Sequence, residues 1–180
     1  QLNEAKLLIV GAGGVGKTSL IKRLQHNTYN PTESQTDGLS ISTWHLAVKN
    51  QLVRLNVWDF GGQEIYHATH QFFFTKRSLY ILACNCRTDE DETHIEYWLK
   101  LIQSFGGDSP VIIVGNKCDE QPLDINRKAL KKKHRNIKAI LETSCASGEG
   151  IEELRSAVIQ AIAQLDDVYN FLPLAWFEVK

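Results

Sequence analysis

Gly11-Ala-Gly-Gly-Val-Gly16-Lys17-Thr18 is the stretch whose reading decides the fold. It fits G-x-x-x-x-G-K-[ST], and it follows a short apolar run (6–10) and precedes a stretch (18–26) whose Leu20, Ile21 and Leu24 share one helical face. Strand, glycine loop and helix in that order make a cradle for phosphate. Glycines let successive N–H groups converge on phosphate oxygens, and the helix N-terminus adds partial positive charge. Lys17 reaches the outer phosphates and the Thr18 hydroxyl is placed to ligate Mg²⁺. Gly11, Gly13, Gly14, Val15, Gly16, Lys17, Thr18 and Ser19 are therefore candidate ligand contacts. Gly11, Gly13 and Gly16 also satisfy G-x-G-x-x-G, the dinucleotide fingerprint, which would imply a nicotinamide-dependent oxidoreductase. That reading needs an acidic residue ending the second strand, whereas the second strand here ends near Val48-Lys49, and it leaves Lys17-Thr18 without a task.

Working outward, residues 29–38 are polar and turn-rich and read as a loop. Residues 39–48 and 52–58 alternate apolar and polar around Lys49-Asn50-Gln51, which predicts an antiparallel hairpin. An irregular stretch is expected from Asp59 to about His70. Continuous apolar runs at 79–84 and 111–114 read as buried strands, with a helix at 93–105 between them; a strand at 137–141 and a helix at 151–165 follow. Strands alternating with helices predict an α/β fold whose mostly parallel sheet is covered on both faces.

Two further motifs lie at strand ends. Asp59-Phe-Gly-Gly62 is D-x-x-G, where Asp59 can hold Mg²⁺ through water and the Gly62 N–H can sense a terminal phosphate. Asn116-Lys117-Cys118-Asp119 is N-K-x-D, at the carboxyl edge of the sheet where ligands bind in such folds. The Asp119 carboxylate can accept from both N1 and N2 of guanine, donors that adenine does not present, so a GTP or GDP ligand is expected over ATP.

With these elements in this order, the chain resembles the Ras-like small GTPases over nearly its whole length. The resemblance implies the small G-protein form of the P-loop NTPase fold: six strands, mostly parallel, with one antiparallel edge strand. Position by position, Thr36 falls on the threonine that ligates Mg²⁺ and touches the γ-phosphate, and Gln63 on the glutamine that orients the attacking water. Tyr29 falls where the family sets an aromatic residue against the base. Ser144-Cys145-Ala146 falls on the family's Ser-Ala-Lys, so Ala146 departs from the pattern by removing a lysine that packs the guanine; the Cys145 N–H still suits guanine O6. The catalytic set implied is Gln63, Lys17 and Thr36; the metal set is Thr18, Thr36 and Asp59. No arginine holds an assured place to neutralise transition-state charge, which implies slow intrinsic turnover; Arg77 and Arg87 are both open as residues acting across a dimer.

Glu33-Ser-Gln-Thr-Asp-Gly-Leu39, Trp58-Asp-Phe-Gly-Gly-Gln-Glu-Ile65, His67-Ala-Thr-His-Gln-Phe-Phe73 and Arg87-Thr-Asp89 resemble Roc domains in particular, and Phe171-Leu-Pro-Leu-Ala-Trp-Phe-Glu-Val179 resembles the start of a COR domain. The implied organisation is a Roc GTPase domain over residues 1–168, then a linker and the start of a COR-like region over 169–180. The Roco resemblance implies a COR partner in cis, a homodimer through a longer protein, and regulation of that protein's other domains by nucleotide state. A scaffolding or dimerisation module that binds nucleotide with negligible hydrolysis is the alternative.

Composition bounds the rest. At 180 residues, 43% of them hydrophobic, the chain suits one domain with a substantial core. A net charge of −1 gives no bulk drive toward nucleic acid or acidic membranes, and Lys131-Lys-Lys-His-Arg135 reads as a solvated helix face. Four cysteines, Cys84, Cys86, Cys118 and Cys145, are too few and unevenly spaced for a disulfide framework and read as buried thiols of a cytoplasmic protein; Cys84 and Cys86 with His94 lack a fourth ligand at a usual metal spacing. No apolar run is long enough to span a membrane, and the final residues carry no prenylation motif, so no direct membrane anchor is expected. Met is absent, including at position 1, and the chain is expected to start inside a longer one.

Overall fold

The computed structural model describes residues 3–61, 78–86, 92–119 and 121–165. The elements run β1 (Glu4–Val10), α1 (Lys17–His26), β2 (Leu39–Val48), β3 (Gln51–Phe60), β4 (Leu79–Asn85), α2 (Glu92–Gly106), β5 (Val111–Asn116), α3 (Arg127–Lys133), β6 (Ile137–Thr143) and α4 (Ile151–Ala163). They build one six-stranded sheet in the order β2-β3-β1-β4-β5-β6, with every pairing parallel except β2 with β3. This is the mostly parallel sheet with an antiparallel edge strand that the sequence implied.

The hairpin forms because Lys49 and Asn50 both take left-handed backbone, φ 49° and 61°, which closes a two-residue turn whose twist suits the flanking strands. The sheet separates two cores by the two-residue alternation of its side chains. In β1, Leu7 and Ile9 pack with Leu20 and Leu24 of α1 and Leu154, Val158 and Ile162 of α4. Leu8 and Val10 face the other way, toward Ile95, Leu99 and Ile102 of α2 and Leu130 of α3. Layers on both faces leave the strand ends free, and around β1 the strand order reverses: the chain passes through α1 to β2 and β3 on one side, then crosses to β4 on the other. A cleft is expected at that switch point, beyond the carboxyl end of β1.

Several boundaries depart from the sequence reading. Asp59 does not open an irregular stretch: it and Phe60 stay in β3, paired with Ser40 and Leu39 of β2, and Asp59 also lies beside Ile9 of β1. The short α3 carries a single buried residue, Leu130, and so left no periodic signal; Asn126 starts it by accepting the Ala129 N–H at 3.0 Å. The basic run 131–133 forms its last turn, where cations offset the helix dipole. Cys84, Cys86 and Cys145 are buried, but Cys118 is only half-buried in the loop after β5. Among the described residues no helix is long and apolar enough to cross a membrane.

Candidate functional site

An open cleft with about 930 Å³ of empty space lies along the carboxyl ends of β1, β3, β5 and the β6–α4 loop. Its floor is the glycine loop. Gly11 has φ 144° and a Cβ there would strike the Ala83 carbonyl of β4; Gly16 has φ 92°, and a Cβ there would strike the Asn116 amide. Gly16 is also the N-cap of α1, which has no side-chain cap, so the first N–H groups of the helix face the cleft without a competing side chain. Val15 turns its side chain into the core and contributes backbone only. Lys17 is buried, its amine donating to Gly11 O at 2.9 Å and Ala12 O at 2.8 Å.

One wall gathers oxygen. Thr18 at the start of α1, Thr36 in the loop before β2, and Asp59 at the end of β3 are 18 to 41 residues apart in sequence. Their oxygens nevertheless converge: the two hydroxyls are 2.7 Å apart, and Asp59 Oδ2 accepts from Thr18 at 2.5 Å and from Thr36 at 3.3 Å. Asp59 is only 4% exposed, and its Oδ1 is buried with no hydrogen-bond partner among the described residues. Burial pushes the Asp59 carboxyl up, while the Thr18 hydroxyl, the Lys17 charge and the Thr36 hydroxyl pull it back. A buried carboxylate oxygen without a partner among the described residues, beside two hydroxyls, offers oxygen donors of the kind a hard divalent cation takes.

The other end is assembled from three distant segments. Asn116, 1% exposed, donates to Val15 O at 2.9 Å and accepts from the Thr143 hydroxyl at 3.1 Å and the Cys145 thiol at 3.6 Å. One amide thereby ties the glycine loop, β5 and β6 together. Lys117, at φ 61°, lays its amine on Gly14 O at 2.5 Å. Asp119, Ser144, Cys145 and Ala146 line this end, and Tyr29 lines the rim at 41% exposure. Burial pushes the Cys145 thiol up to about 11, against the Asn116 hydrogen bond, so it is neutral at ordinary pH.

Of the sequence-predicted residues, Gly13, Gly14, Gly16, Lys17, Thr18, Ser19, Tyr29, Thr36, Asp59, Asn116, Lys117, Asp119, Ser144, Cys145 and Ala146 border this one cleft. Gly11 and Val15 support it from behind. Gly62, Gln63, Arg77 and Arg87 lie outside the described residues. Three contributors escaped the sequence reading. Gly61 locks the end of β3 to the loop before β2: its N–H donates to Gly38 O at 2.7 Å, and a Cβ there would strike Thr36 O. Glu33 receives the Lys22 amine on both carboxylate oxygens at 2.7 Å and ties the 27–38 loop to α1. Arg23 reaches the 145–146 backbone. Gly61 left a trace as one glycine of a pair in D-x-x-G, and Glu33 as the first residue of the Roc-like stretch 33–39, though without the tie it makes.

Sheet order, glycine loop and an oxygen-lined cleft define a P-loop nucleotide-binding protein of the Ras-like kind. The family model described as "Ras of Complex, Roc, domain of DAPkinase" matches residues 6–119, and the chain belongs to the Roc family. It is 38% identical, over 98% of its length, to the probable serine/threonine-protein kinase pats1 of Dictyostelium discoideum, and 32% identical, over 94%, to a Roc-COR-CHAT protease of Runella zeae. The chain spans 6% and 20% of those relatives. A solved Roco2 RocCORdC of Methanosarcina barkeri bound to GDP superposes with a TM-score of 0.88 at 47% identity, covering 98% of this chain and 54% of that one.

Proposed function

We propose that this domain is a guanine-nucleotide switch that binds GTP and GDP with Mg²⁺, hydrolyses GTP slowly, and governs other domains of a longer Roco-type protein, including a COR domain in cis. The observation that carries the reading is the convergence of Thr18, Thr36 and Asp59 oxygens at one end of a cleft whose other end carries Asp119. The GDP held by the related RocCOR structure supports it.

The residues divide the work by position. The glycine loop and the α1 N-terminus bind the phosphate chain, and Lys17 exchanges its bonds to Gly11 O and Ala12 O for the outer phosphates. Thr18, Thr36 and Asp59 would hold Mg²⁺, which would supply neutralisation of phosphate charge. Gln63 orients the attacking water. Thr36, joined through Gly38 to Gly61, makes the 27–38 loop sensitive to the γ-phosphate, so losing that phosphate frees both strand-end loops together. Among the described residues no arginine lines the cleft, which supports slow turnover until a partner or second copy supplies one. Asp119 reads the base.

Two measurements test this. Asp119→Asn is expected to move preference from guanosine to xanthosine nucleotides; an unchanged preference overturns the guanine reading. Wild type is expected to release phosphate from GTP faster than Gln63→Leu. Equal and negligible rates would instead favour a nucleotide-bound scaffold.

A further inference from the structure

Behind the base end of the cleft stands a residue that the cleft lining does not include. Arg23, in the last turn of α1, donates from Nε to Cys145 O at 2.7 Å and from Nη2 to Ala146 O at 3.3 Å. Its Nη1 donates to Asn27 O at 3.3 Å and to Asn27 Oδ1 at 3.1 Å, and the guanidinium lies 6.0 Å from the Tyr29 ring centre, at the edge of cation–π reach.

The plain reading of a basic residue in a last helical turn is that it offsets the helix dipole and caps free carbonyls. That accounts for the Asn27 side. It does not account for two bonds to consecutive carbonyls 122 and 123 residues away. A planar guanidinium fork grips two acceptors in fixed geometry, as a lysine amine would not. A trans peptide carries its C=O and N–H on opposite sides, and no described peptide bond is cis. Pulling Cys145 O toward α1 therefore turns the Ala146 N–H away from Arg23. Ser144 O is engaged in the same way by the Gly148 N–H at 2.8 Å, which turns the Cys145 N–H away from that turn. Two adjacent N–H groups are thus set by what their carbonyls hold.

We infer that Arg23 is a positioning residue for guanine: from outside the cleft it fixes the Cys145 and Ala146 amides and the Tyr29 ring as one preformed surface for the base. The inference rests on the guanine reading above and deepens it. It also explains how the loop keeps its shape with only a methyl group at Ala146.

The test compares wild type, Arg23→Lys and Arg23→Ala against three ligands: GDP, the diphosphate of 2-aminopurine riboside, which lacks O6 and with it the N1–H, and tripolyphosphate, which lacks a base. Arg23→Ala is expected to lose about tenfold in GDP affinity, the order expected from losing a charge-assisted bond, and to release GDP correspondingly faster. Its affinity for the O6-lacking analogue is expected to fall less, and for tripolyphosphate not at all, with Arg23→Lys in between. A helix-capping role alone would lower all three together or none, and either result overturns the inference. If wild type itself binds tripolyphosphate as tightly as GDP, the guanine reading falls and takes this inference with it. Unchanged GDP release in Arg23→Ala with guanine preference intact overturns the inference alone.

Discussion

The two ends of the cleft are made in different ways. The phosphate end is mostly backbone from one contiguous loop, shaped by glycines whose φ angles no other residue adopts cheaply. The base end is side chains tying together the backbone of segments about 100 residues apart: Asn116 on Val15, Lys117 on Gly14, Arg23 on Cys145 and Ala146. A contiguous device fails by local strain, and an assembled one fails by losing a tie.

The sharpest way to break this comparison is within the glycine loop. Gly11→Ala would combine a left-handed φ with a Cβ driven into the backbone carbonyl of Ala83, which no rotamer can relieve. The expected cost is about 2–5 kcal/mol of folding stability. Gly14→Ala meets nothing within 4 Å and bears only its φ of 76°, so about 1–2 kcal/mol is expected, partly offset by a stiffer unfolded chain. Urea unfolding of the nucleotide-free protein measures both. Equal losses would mean that local space around the loop does not matter.

Asn116→Ala tests the joint between the ends. It leaves Val15 O and the Thr143 hydroxyl without their buried partner, for an expected loss of about 2–4 kcal/mol. Because Val15 belongs to the phosphate loop, this variant should weaken tripolyphosphate as well as GDP, unlike Arg23→Ala. Intact tripolyphosphate binding would show that the ends are independent.

The same difference decides what could be read from sequence. The glycine loop, D-x-x-G and N-K-x-D were legible because backbone geometry or a strand end demands particular residues at fixed spacing. The sheet was legible because β4 and β5 are buried on both faces and the hairpin strands alternate. α3 was legible only as the basic helix face of 131–135, since one buried leucine in seven residues makes no period. The helix ends at Lys133, and His134 is buried against Glu96 rather than solvated. The place of Asp59 inside β3 was not legible, because it is set by pairing on both sides rather than by its own propensity. The ties made by Arg23 and Glu33 were invisible for a further reason: each acts through a tertiary contact, and a helical arginine or loop glutamate looks the same in sequence whether or not a partner stands opposite.

Cys145 gives the smallest and most specific probe of the assembled end. Its thiol is neutral in the fold and its pKa rises from 9.0 to about 11, chiefly by burial. A raised acid pKa means that the folded state prefers the protonated form. The thiol's contribution is therefore complete below about pH 9 and declines as pH climbs toward 11, where the unfolded chain gains a thiolate that the fold resists. Between pH 7 and pH 10 the decline should amount to about 1 kcal/mol. Cys145→Ala removes the titration, so the stability gap between wild type and variant, measured by urea unfolding without nucleotide, should shrink over that interval. The glycine-loop variants alter nothing around this thiol, and their gap from wild type should stay flat across the same pH range. A gap that stays flat for Cys145→Ala too would mean that the base end admits water to the thiol, and that its three segments are less firmly tied than Asn116 and Arg23 make them.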